Sequence, residues 1–203
     1  MTAGWPAGCA ALALLSTLVF AHDGLAGPTA AWAPLLEWRA AEAWRQPWRA
    51  WTGALVHYSP QHLAANLAGC AVVAAFGMAA RLPARAMVAA AAAWPLTQML
   101  LLWAPSLSRY GGLSGLLHAA VAVAAVALVV GGAARQRWIG AAVWLGLLVK
   151  VALEAPWSGA IQTVPGWDIP VAVAAHASGL VSGSFMMGLV ALHAATRGHP
   201  SGP

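Results

Sequence analysis

The stretch GGLSGLLHAAVAVAAVALVV (111–130) decides the fold. From Leu116 onward it carries no charge, and its one polar side chain is His118. Apolar residues occupy every face, so this is no surface helix of a soluble domain. A helix that crosses a bilayer needs about 20 mostly apolar residues, and this run supplies one near 112–132. Glycines 111, 112 and 115 surround Ser114 at its start. They let backbones approach closely and leave free amide N–H groups at a helix N-terminus. A hydroxyl beside such donors is half of an oxyanion site. Taken alone, the motif also fits small-residue packing between helices.

Five further runs of the same kind lie outward from it, near 5–22, 60–80, 84–103, 137–155 and 169–193. The composition agrees: 61% of the 203 residues are hydrophobic and 7% charged, against about 25% charged in soluble domains. The expected fold is an all-α integral membrane protein, one domain over 1–203 with six transmembrane helices. The first run lacks a basic segment before it and further spans follow, so it reads as a helix rather than a signal peptide. No internal repeat supports an inverted-repeat transporter. Cys9 and Cys70 sit inside apolar runs without a partner at ligand spacing, and neither a disulfide nor a metal site is expected. The basic residues fall at the ends of apolar runs and form no patch, which argues against nucleic-acid binding.

Arg81, Arg85, Arg135, Arg137 and Arg197 all follow or precede runs at one expected side, with no acid among them. The acids Asp23, Glu37, Glu42, Glu154 and Asp168 fall at or near the other. The positive-inside bias then places both termini in the cytoplasm. The long outer loop, 24–56, holds Trp32, Trp38, Trp44, Trp48 and Trp51. Tryptophan marks membrane interfaces; the spacing of Trp38, Trp44, Trp48 and Trp51 suits amphipathic helices lying in the interface plane, and simple anchoring at the interface is the preferred reading for most of these residues.

Polar groups inside a membrane are costly, so their default reading is functional. Besides GGLSGLLHA there are two such segments, HYSPQHLAAN (57–66) and AAHASGLVSG (174–183). His176 shares a helix face with Gly179 and Gly183. Their four-residue spacing predicts close packing on a neighbouring helix, which would draw His176 towards it. If that helix carries Ser114, nucleophile and base can meet. Ser114 lies about 24 Å from Val130 at 1.5 Å per residue, and His176 about 9 Å inside Pro170. Both depths fall in the outer third of a core about 30 Å thick. His62 and Asn66, at i and i+4, share a face and can both donate to an oxyanion. His57 is expected to bond loop backbone. His118, four residues after Ser114, is placed to stack on or orient His176; as a base it is less well placed than a residue across a cleft. His193 and His199 are expected to be inert. No acid stands where it would orient His176, so a Ser–His dyad is expected, not a triad. There is no HExxH, and no carboxylate is near His57, His62 or His176 in sequence, so no metal is expected. The chemistry requires no cofactor.

These segments resemble the rhomboid family of intramembrane serine proteases over nearly the whole chain. Trp48-Arg49 with Thr52 resembles the family's WR element, and HYSPQHLAAN its second-helix HxxxN motif. GGLSG resembles its nucleophile motif and AHASGLVSG its sixth-helix histidine motif. The resemblance implies a six-helix rhomboid-like bundle with Ser114 and His176 catalytic. His62, Asn66 and the Ser114 amide would line the oxyanion site, with His57, His118, Gly112 and Gly179 supporting. Where many rhomboids carry a tyrosine four residues after the serine, this chain has His118. That form, with no soluble domain, resembles the rhombosortase branch. The branch implies membrane-anchored protein substrates with a C-terminal GlyGly sorting helix, a bacterial inner membrane, and a site facing the periplasm. The alternatives are a catalytically inactive rhomboid-like protein that binds membrane clients, and a small channel. The first should lack the serine or histidine; the second should carry polar residues through the full thickness.

Overall fold

A computed structural model describes residues 4–27 and 31–197. His199 lies outside the described residues. Eight α-helices follow one another: α1 (Gly4–Ala26), the single turns α2 (Ala33–Leu36) and α3 (Arg49–Thr52), then α4 (Pro60–Ala79), α5 (Ala84–Met99), α6 (Ser114–Gly131), α7 (Ala134–Leu153) and α8 (Val173–Arg197). A 3-10 turn, Leu100–Trp103, extends α5. The six long segments, counting α5 with this turn, are long and apolar enough to cross a membrane. Their bounds follow the sequence expectation to within a few residues. The largest differences are four residues: α1 runs on to Ala26 rather than 22, and α8 spans Val173–Arg197 rather than 169–193. Pro170 denies a backbone N–H just before it, and Val171 is held in an antiparallel bridge to Gln162.

Local chemistry sets the helix ends. Ser59 caps α4 by accepting from the His62 amide at 3.1 Å, and Pro60 occupies the first turn, where a missing N–H costs nothing. The helices pack through small residues. A Cβ added at Gly179 would collide with the Gly115 carbonyl oxygen, and one at Gly183 with the Ala119 backbone. Thus α8 lies directly on α6, as the glycine spacing predicts. Thr97 of α5 and Ser182 of α8 close the third side through a buried hydroxyl pair at 2.5 Å. Among the described residues Cys9 and Cys70 are free thiols.

The Trp-rich loop corrects the expectation of amphipathic helices in an interface plane. It forms single turns and a short strand, β1 (Trp38–Arg39), paired antiparallel with β2 (Arg109–Tyr110). Trp38 is fully buried, while Trp32, Trp44, Trp48 and Trp51 are exposed. Buried Arg49 ties the loop together. It donates to the carbonyls of Pro34 and Glu37, at 3.0 and 2.8 Å, and pairs with Glu42 at 3.2 Å. Thr52 donates to Leu36 O at 2.7 Å. The folded loop then holds the segment before α6: Trp38 faces Tyr110 in the strand pair, and Gly53 O accepts from Gly112 N at 3.1 Å.

Candidate active site

Ser114 is the first residue of α6 and His176 the fourth of α8. Both therefore stand in the first turn of a helix, and the close contact at Gly179 brings those turns together. They line one cavity of about 1090 Å³ with His62, Asn66 and His118. The cavity lies between α4 and α7, which stand apart across it, and its wall is mostly apolar.

Gly112 carries φ +131°, a conformation that side chains rarely adopt, and a Cβ there would strike Nε2 of His62. Glycine thus lets the backbone before Ser114 lie against that imidazole. His62 Nδ1 accepts from the Tyr58 amide at 3.5 Å, which leaves the proton on Nε2, facing the Gly112–Ser114 segment. Asn66 Nδ2 donates one hydrogen to His62 O at 3.0 Å and retains a second. His57 Nδ1 donates to Leu55 O at 3.2 Å, the loop-backbone bond expected of it. Burial first, then the nearby His62, lowers its pKa to about 4, so it stands neutral.

The Ser114 hydroxyl pairs with the Tyr110 hydroxyl at 3.3 Å. Tyr110 donates to Gly112 O at 2.9 Å and accepts from the Gly115 amide at 3.1 Å. With its single hydrogen committed, it receives the serine proton. Among the described residues Ser114 makes no hydrogen bond to His176, although both line the same cavity. The sequence carries no sign of Tyr110, because its contact with Ser114 depends on the pairing of β2 with β1.

His118 stacks flat on His176, with ring centroids 4.1 Å apart and planes 9° from parallel. Its Nδ1 donates to Ser114 O at 2.6 Å, pinning it to its own helix. This is the stacking role expected of it.

The expectation that no acid orients His176 is corrected. Glu154 Oε2 accepts from His176 Nδ1 at 2.8 Å, and Lys150 donates to Oε1 at 2.6 Å. Twenty-two residues separate Glu154 and His176, and no local spacing signals their contact. The turn after α7 creates it. Burial raises the Glu154 pKa, but the His176 hydrogen bond and Lys150 outweigh it and hold the carboxyl at about 2. Distance in sequence is not distance in space: although no carboxylate is near His176 in sequence, ligand atoms of His118, Glu154 and His176 lie within 4.8 Å of one another. This cluster is arranged for hydrogen bonding rather than coordination. An ion must lie in the plane of each imidazole that binds it, and two parallel stacked rings share no such plane. Both Nδ1 atoms are also already engaged.

No known protein-family model and no curated protein matches the chain.

Proposed function

We propose that the chain is a multi-pass membrane protein and an intramembrane serine endopeptidase of the rhomboid type, of the rhombosortase branch. The observation that carries this reading is the meeting of Ser114, His176, His62 and Asn66 on one cavity in an otherwise apolar bundle. A nucleophile, a base and fixed donors are the parts that acyl transfer requires.

In this reading a client segment enters between α4 and α7. The Ser114 hydroxyl turns from Tyr110 to Nε2 of His176, which takes its proton as the oxygen attacks the scissile carbonyl. Nε2–H of His62, the free Asn66 amide hydrogen and the Ser114 amide hold the oxyanion. His176 returns its proton to the leaving amine, and water hydrolyses the acyl-enzyme. The arginine-rich ends lie in a bacterial cytoplasm with both termini, and the site faces the periplasm. Support for a single polar end comes from the contacts: Asp168 accepts from Ser59 at 2.9 Å, and Glu37 from Tyr58 at 2.9 Å, close to the cavity.

A cleaved segment must become extended to reach Ser114. Glycine lowers that cost, because it disfavours helix by about 1 kcal/mol relative to Ala, which suits the GlyGly sorting helix of the resemblance. Co-expression with a membrane client bearing a GlyGly–helix–basic tail should release a shortened product, and replacing the glycine pair with leucines should block release. Equal cutting of both clients, or cleavage at the cytoplasmic end, contradicts the branch or the topology.

A further inference from the structure

We infer that Glu154 is the positioning acid of a Ser114–His176–Glu154 triad, with Lys150 as the clamp that fixes its carboxylate. This rests on the protease reading above and assigns a role to residues of α7 which that reading leaves idle.

Local helix physics argues against an acid at this position. Glu154 is the C-cap of α7, where the helix dipole is negative and a carboxylate is disfavoured. Its partner Lys150 precedes it by four residues, the less favourable order for an i,i+4 pair. A residue that breaks a local rule needs a compensating contact, and here it is the base itself.

The backbone is built to deliver that carboxylate. Ala155 adopts φ +44°, a left-handed turn that costs a non-glycine residue about 1–2 kcal/mol. The turn ends α7 directly after Glu154. The Gln162 side-chain amide donates to Glu154 O, and Gln162 is itself fixed by its bridge to Val171, two residues before α8. Ala160 O accepts from Ala174 N at 3.1 Å and ties the same loop to the first turn that holds His176.

The hydrogen bonds also select a tautomer. Nδ1 of His176 has two neighbours, Glu154 Oε2 at 2.8 Å and Lys150 Nζ at 3.4 Å. One nitrogen cannot donate to the first and accept from the second. The shorter contact, to an ionised acceptor, decides the matter: Nδ1 carries the hydrogen. Nε2 is left with its lone pair free to receive the serine proton. The ammonium of Lys150 occupies the other carboxylate oxygen, so the acid cannot rotate away from the ring. Glu154 touches no reacting atom and acts through His176.

The test uses a fluorophosphonate probe with the full-length protein in detergent. The second-order rate of labelling at Ser114 is compared with the thermal unfolding midpoint. Glu154→Gln should slow labelling by about 10–10²-fold, within the roughly 10⁴-fold loss known for a triad whose tautomer is wrong. Glu154→Asp should recover part of that loss. In a His176→Ala background Glu154→Gln should cause no further loss, because residues acting as one unit are not additive. A purely structural role would instead lower the rate in both backgrounds and move the midpoint with it, which overturns the inference. Labelling of Glu154→Gln at the wild-type rate overturns it too and leaves the protease reading intact. Failure of the wild type to label at Ser114 defeats that reading itself. If Glu154→Gln does not fold, Glu154→Asp carries the test: slowed labelling at an unchanged midpoint supports the triad, and an unchanged rate contradicts it.

Discussion

The seam between α6 and α8 and the outer helix α7, which packs on α6 along one side and is otherwise exposed, place side chains on the cavity in two ways. In the most apolar 18-residue window of each, 61% of α6 and 56% of α8 are buried inside the protein, against 11% of α7. The seam is closed by glycine: side chains cannot be added at 179 or 183 without striking the α6 backbone. Ser114 and His176 are therefore held by direct helix contact. Glu154 reaches the same place by another route, from the end of a helix that packs chiefly on α6 and through a turn pinned by Gln162. The placement of Ser114 and His176 depends on packing, whereas that of Glu154 depends on hydrogen bonds.

This contrast can be broken at its strong side. Gly183→Val places two methyl groups against the Ala119 backbone, where nothing flexible can yield. Overpacking costs about 1–3 kcal/mol and at times more, and here it also separates Ser114 from His176. The expected result is a lowered unfolding midpoint in detergent together with loss of Ser114 labelling. A Gly183→Val protein with unchanged midpoint and labelling would show that the seam does not set the site.

On the exposed face of α7, away from Gly140 and its contact with α6, a glycine should be dispensable. A Cβ at Gly146 of α7 meets nothing within 4 Å. Gly146→Ala should leave labelling unchanged and stabilise the helix by up to about 1 kcal/mol, read as an equal or raised midpoint. A clear loss of stability would mean that α7 packs on something beyond this chain at that face.

The two routes also explain what the sequence could disclose. Packing leaves a local mark. Gly179 and Gly183 at a spacing of four predict the close helix contact, and GGLSG marks a helix start where backbone must come near a side chain. The six helices were legible because each is a continuous apolar run. Hydrogen bonding between distant segments leaves no such mark. Glu154 reads as one acid at a loop edge, and only the Ala155 turn and the Gln162 bridge bring it to His176. Tyr110 is hidden in the same way, since its place beside Ser114 depends on the pairing of β2 with β1. The tryptophan spacing suits helices that do not form, because Trp38 serves as core under that strand pair, while its neighbours in the loop are exposed.

The central claim is that Ser114 is a nucleophile activated by His176. It is tested most directly by treating the purified protein with a fluorophosphonate and mapping the adduct by mass spectrometry. A single adduct on Ser114 is predicted, absent from Ser114→Ala and nearly absent from His176→Ala, with all three proteins equally folded. An unlabelled wild type, an adduct on another residue, or full labelling of the His176→Ala protein would contradict the account.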